Sequence, residues 1–214
     1  MEELSQQDNK QEREPVISIK RTSEAPIEFK ENPFYDEVFW GRAKSFDDIY
    51  LPDSDEALSF AIAAHEIGHL VKDGEILTAA LDNFEATQAE EERAWLKGWV
   101  YLKKYLPDYY HDDKEAVGQI EEAYLKIKEL MMRAVDLSKA MYIEKEKLGK
   151  INEKKYEAEL RTKRNSLSQT DDGQKILELF KEIKKQKINK KTDWTKFVKI
   201  VHQALIEIIK DNKQ

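Results

Sequence analysis

The sequence of 214 residues predicts a mostly α fold with a small antiparallel β-sheet near its N-terminus, an α+β class. Three observations carry that prediction. Short β-type runs cluster between Pro15 and Pro52. From Val117 onward, apolar residues recur at three- and four-residue spacing. All five prolines fall at or before Pro107, and only Gly118, Gly149 and Gly173 follow it, so little in the second half interrupts a helix.

Residues 1–14 are polar and poor in apolar side chains, which predicts a flexible tail. The β-type runs are Val16–Ile19, Ile27–Phe29, Val38–Trp40 and Asp48–Leu51, punctuated by Pro26, Pro33, Gly41 and Pro52. Asp53 with Glu56 three residues on fits a capping box, opening a helix whose core Ala57–Val71 contains one acidic or basic side chain, Glu66. A helix apolar on every side is buried. Lys72-Asp73-Gly74 is its expected stop. Thr87 with Glu90 forms a second capping box, for a helix reaching about Leu106 before Pro107. Val117, Ile120, Tyr124, Ile127, Met131 and Ala134 mark a third helix. Ile176-Leu177-Phe180-Ile183 and Trp194-Phe197-Val201-Ala204-Leu205-Ile208 mark the last two.

Composition narrows the chemistry. With no cysteine, disulfides, thiolate-bound metals and thiol nucleophiles are excluded. No window approaches the roughly 18 uninterrupted apolar residues of a membrane span, and the acidic, polar start lacks the apolar stretch of a secretory signal, so a cytoplasmic protein is expected. Residues 1–107 hold 12 basic and 23 acidic side chains, a net of −11, whereas 108–214 hold 24 and 20, a net of +4. That asymmetry suggests a division into residues 15–112 and a helical accessory region, 113–214.

His65-Glu66-Ile67-Gly68-His69 is an H-E-x-x-H motif. Side chains four apart share a helix face, so both imidazoles can reach one ion, and zinc is the expected metal. Glu66 stands one position round, placed to contact a metal-bound water whose pKa zinc lowers from about 15.7 to about 7. Gly68 costs about 1 kcal/mol against Ala inside a helix, so room for substrate or for another backbone is its expected reason.

A catalytic zinc needs a third protein ligand and an open position. Glu91-Glu92-Arg93-Ala94-Trp95-Leu96-Lys97-Gly98 has the form E-x-x-A-x-x-x-G, with Glu91, Ala94 and Gly98 on one face. Small residues beside the ligand allow the helix to approach its neighbour closely. Glu91 is therefore the expected ligand and Glu85 its rival, while Glu90 and Glu92 are read as surface charge. An oxyanion-stabilising donor is also expected, with Tyr101, Tyr105, Tyr109 and His111 as candidates.

H-E-x-x-H followed by E-x-x-A resembles the zinc metallopeptidases called gluzincins. Asp48–Leu51, a short link and Phe60–Glu66 resemble the ImmA/IrrE-type metallo-endopeptidases in particular, over residues 45–105. The resemblance implies a minimal zincin-like domain over 15–112, with His65, His69 and Glu91 as ligands and Glu66 as general base. It further implies hydrolysis of a peptide bond in an intracellular, regulatory protein. Trp95 departs from the family, which has a small polar residue there. The alternative is a non-catalytic metal-binding interaction protein, its zinc closed off by a fourth ligand such as His111.

An HD-type phosphohydrolase needs a further His upstream of the pair, and none precedes His65. The lysine-rich run Lys181–Lys199 is interrupted by acidic and apolar residues, so a solvated helix face is expected rather than a nucleic-acid surface. For residues 113–214 two roles compete: recognition of a protein partner, or packing of stripes such as Trp194-Phe197-Val201 onto the first-half helices.

Overall fold

The computed structural model describes residues 16–25, 32–34, 40–72, 84–139, 153–185 and 191–213. Three strands, β1 (Ile19–Arg21), β2 (Arg42–Ser45) and β3 (Asp48–Leu51), form one sheet in the order β1-β3-β2. Its helices are α1 (Glu56–Gly68), α2 (Phe84–Leu102), the short α3 (Leu106–Tyr109), α4 (Lys114–Leu137), α5 (Glu153–Ser168), α6 (Asp171–Lys184) and α7 (Trp194–Asp211). The fold is thus mostly helical with a small sheet, as the sequence predicts.

The sheet is mixed rather than antiparallel. β2 and β3 form an antiparallel hairpin, but β1 pairs with β3 in parallel, Ile19 opposite Ile49. β2 was not among the expected strands, because Arg-Ala-Lys-Ser has no β-type composition. Its hairpin turn and its place over α1 impose the extended form. The Ile27–Phe29 run and most of Val38–Trp40 lie outside the described residues.

The start of α1 also differs from expectation. Asp55, not Asp53, is the N-cap, its carboxylate accepting the Leu58 N–H at 3.2 Å. Asp53 instead pairs with Arg21 at 3.2 Å. Glu56 turns inward, where the Tyr109 and Tyr110 hydroxyls donate to it at 2.8 and 2.7 Å. α1 ends at Gly68 with His69 as C-cap, short of Val71, but His69 keeps helical dihedrals and so stays in register with His65. α2 begins before Thr87, and a 3₁₀ turn (Lys103–Tyr105) separates it from α3, whose first turn holds Pro107, where a missing N–H costs nothing.

From Glu56 to Ala64 every side chain of α1 is buried. It lies between the sheet, α2, α4 and the C-terminal helix. Phe60 meets Tyr109 and Phe197 edge-on, at 5.0 and 5.2 Å between ring centres. One continuous apolar cluster holds Leu58, Phe60, Trp95, Ile127, Ile183, Phe197 and Val201 together, crossing the expected 112/113 division. The α7 stripe is therefore core. Polar contacts reinforce the join: Thr192 donates its N–H to the Ser54 carbonyl at 3.1 Å and its hydroxyl to Ser59 at 2.9 Å. At the far end, Asn212 donates to the Leu70 carbonyl and accepts the Lys72 N–H, both at 2.8 Å.

Candidate metal centre

Two glycines set the distance between α1 and α2. A Cβ on Gly68 would lie 1.9 Å from the Ala94 carbonyl oxygen, and one on Gly98 would lie 1.7 Å from that of Ala64. Neither position admits a side chain without forcing the helices apart. The close backbone approach foreseen for Gly68, and for the small residues beside Glu91, is what the structure has. At this crossing, α1 presents His65 and His69 and α2 presents Glu91.

His65 Nε2 lies 3.2 Å from Glu91 Oε2 and 3.3 Å from His69 Nε2, and His69 Nε2 lies 3.8 Å from the same Glu91 oxygen. One ligand atom from each lies within 4.8 Å of the other two, the single such trio among the described residues. Two imidazole nitrogens and one carboxylate oxygen form a donor set that suits zinc and leaves a coordination position open. Burial pushes Glu91 up, but the His65 hydrogen bond and both nearby imidazoles outweigh it and hold the carboxyl below its ordinary range. Glu85 is elsewhere, exposed and 3.6 Å from Lys139.

Glu66 occupies a different environment one step round α1. The chain at Gly41 crosses its side chain so closely that a Cβ there would meet Glu66 Cγ at 2.6 Å. The Ala43 N–H donates to its carboxylate. Burial raises its pKa, with the Glu91 charge adding and His69 and Arg42 opposing, and the result is pushed up to about 7. Arg42 also pairs with Asp48 across the β2–β3 hairpin.

Sequence reasoning missed two participants. Glu90 does not point to solvent: it is buried, and its Oε1 lies 3.1 Å from His69 Nδ1. Arg93 grips it with Nε on Oε2 and Nη2 on Oε1, both at 2.7 Å, and reaches on to the Val71 and Gly68 carbonyls at 2.9 and 3.3 Å. Burial acts to raise the Glu90 pKa, but Arg93 and His69 prevail and bring it to about 2. A Glu–Arg pair three apart beside an expected ligand was the available signal, since metal-bound imidazoles regularly donate their second N–H to a carboxylate. Trp95, the departure from the family pattern, lies against His65 with ring centres 4.6 Å apart and planes tilted by 31°.

The expected oxyanion donors are not at this crossing. Tyr101 donates to Asp211, Tyr105 to Glu207 and Tyr109 to Glu56, while His111 Nε2 lies 3.4 Å from Lys196 Nζ. Tyrosine spacing along one helical stretch carried no information about which neighbour each ring faces. His111 is correspondingly not a fourth ligand. No family model, curated protein or solved structure matches the chain.

Proposed function

We propose that the chain is a zinc-dependent peptide-bond hydrolase, a metallo-endopeptidase in which His65, His69 and Glu91 hold the metal and Glu66 is the general base. The observation that carries this reading is the juxtaposition of Glu66 with the His65, His69 and Glu91 trio: it sits one residue from the first imidazole, is enclosed by the Gly41 crossing, and accepts the Ala43 N–H. Bound zinc would supply Lewis acidity, polarising a water and the scissile carbonyl. A carboxylate held in this position can take a proton from the attacking water and return it to the leaving amine. The Ala43 N–H orients that carboxylate for both transfers.

The surroundings suit a peptide. β2, beside Glu66, is an outer strand of the described sheet, and an extended chain can pair with such an edge. Trp40, next to Gly41, helps line a cavity of about 280 Å³ with Phe34, Met131 and Phe180, which offers room for an apolar side chain. The resemblance to ImmA/IrrE-type enzymes extends the proposal to a regulatory protein cut in the cytoplasm. No helix among the described residues is long and apolar enough to cross a membrane.

The test is cleavage of a mixed peptide library by the zinc-loaded full chain, followed by mass spectrometry. Glu66→Gln is expected to keep zinc and lose about 10²-fold or more in rate. A Glu66→Gln chain as active as the parent contradicts the general-base assignment.

A further inference from the structure

We propose that the cavity beside Trp40 is a specificity pocket: it takes one large apolar side chain of an extended peptide, and Arg164 in its wall selects an acidic residue two positions from that anchor. The proposal rests on the endopeptidase reading for what becomes of the peptide, but not for how the pocket recognises it.

The cavity measures about 280 Å³, and its apolar wall includes Phe34, Trp40, Met131, Leu167, Ile176 and Phe180. Ligand sites span about 300–1,000 Å³, so one close to the lower end suits a single side chain rather than a longer segment. Leu167 and Ile176 are buried members of the core cluster, which fixes the shape of this wall. Three helices contribute: Met131 comes from α4, Leu167 from α5, and Ile176 and Phe180 from α6. An apolar side chain seated here leaves water together with the walls it covers.

The polar part of the lining is Asn32, Ser138 and Arg164. Asn32 Oδ1 accepts the Phe34 N–H at 3.0 Å, and the Ser138 hydroxyl donates to the Val135 carbonyl at 2.8 Å, so both serve the local chain. Arg164, half-buried on α5, is the one charged residue of the described lining. Its guanidinium stays protonated and offers a planar fork of N–H donors that matches a carboxylate and repels an ammonium. In an extended chain, residues i and i+2 share a face about 7 Å apart, while i+1 turns away. An acid that meets Arg164 while the anchor fills the cavity therefore stands two positions from it.

The pocket adjoins the metal centre through a single peptide bond. Trp40 precedes Gly41, where a Cβ would lie 2.6 Å from Glu66 Cγ. The Trp40 ring centre is 6.0 Å from that of Tyr50 on β3, which ties this wall to the sheet. β2 starts just beyond, at Arg42, so a peptide extended along that edge can seat its anchor beside Trp40 within a few residues of Glu66. Residues 113–214 then fill both roles weighed for them, packing against α1 and reading the substrate.

The test is fluorescence anisotropy of labelled, end-capped heptapeptides with the metal-free full chain, which requires neither zinc nor cleavage. The central residue is Phe or Ala, and both positions two residues away are Asp or Lys. The Phe peptide flanked by Asp should bind tightest. Ala for Phe should weaken it about 10-fold or more, and Lys for Asp about 5-fold or more. Arg164→Glu should reverse the order of the Asp and Lys peptides. Ala134→Phe, which fills the cavity, should bring the Phe peptide down to the level of the Ala peptide. Should Arg164→Glu fail to fold, Arg164→Gln is expected to abolish the Asp–Lys discrimination, and the parent series stands without either variant. Equal binding of the Phe and Ala peptides overturns the proposal, as does equal binding of the Asp and Lys peptides, an order unchanged in Arg164→Glu, or binding of none. Selective binding by a chain that cuts no peptide when loaded with zinc would refute the hydrolase reading and leave the pocket standing.

Discussion

Two carboxylates on α1, ten residues apart, show how one helix separates structure from chemistry. Glu56 is buried at the first turn, and two phenol hydroxyls converge on it. Burial and that same hydrogen bond push both phenols above their ordinary pKa, so Tyr109 and Tyr110 stay protonated as donors. Glu66 lies near the other end, is offered the Ala43 N–H, and faces a second carboxylate, Glu91, across the helix crossing. The first environment surrounds its carboxylate with hydrogen-bond donors; the second makes ionisation costly and leaves the group ready to exchange a proton near neutral pH in the metal-free chain. A buried acid is therefore informative through its partners, not through its burial alone.

Removing the helices that cover α1 should have the largest effect. A chain truncated after Asp112 loses α4, α5, α6 and α7, leaving Phe60 and its neighbours without Phe197, Ile127 and Val201. It should be insoluble or unfolded by circular dichroism. A soluble, zinc-binding fragment would instead show that residues 15–112 fold alone.

Next in size is the contrast between the two acids themselves. Glu56→Ala should cost about 1–3 kcal/mol for each tyrosine hydroxyl left without its acceptor, read as a lower urea midpoint. Glu66→Gln, which removes a disfavoured charge, should leave the midpoint of metal-free protein at pH 8 unchanged or raised. Equal losses for both would erase the distinction.

The pH dependence sharpens it further. Glu66 has a folded pKa of about 7, above its ordinary 4.5, so between those values the folded chain binds more protons than the unfolded one. Its contribution to stability is present below pH 4.5 and is lost as pH rises through 7. Glu90, with a folded pKa of about 2, runs oppositely: its contribution is present above pH 4.5 and is lost as pH falls toward 2. Urea midpoints of metal-free parent and Glu66→Gln between pH 4.5 and 8 should diverge in the first window; parallel curves would remove the raised pKa from the account. The smallest effect expected is Asn212→Ala, about 1 kcal/mol, from the two hydrogen bonds it makes just beyond His69.

Much of this was readable from the chain because it depended on local spacing. His65 and His69 share a face wherever the chain is helical, and the Ala94/Gly98 pattern anticipates the close crossing with Ala64 and Gly68. What escaped depended on long-range partners. Glu56 reads as a capping residue until Tyr109 and Tyr110 arrive from 53 and 54 residues away. The parallel pairing of Ile19 with Ile49 has no local signature. Glu90 and Glu91 are adjacent and chemically alike; a turn of about 100° per residue sends one to His69 Nδ1 and the other to His65 Nε2.

The proposed zinc centre of His65, His69 and Glu91 is tested by metal content together with coordination number. Purified full chain, loaded and dialysed, should hold about one zinc per chain, with X-ray absorption showing two imidazole nitrogens and carboxylate and solvent oxygens. His65→Ala and His69→Ala should bring the content close to zero, Glu91→Ala should weaken it, and Glu85→Ala should leave it unchanged. Retention of full zinc by Glu91→Ala together with loss in Glu85→Ala, or equal occupancy in both histidine variants and the parent, would contradict the centre described here.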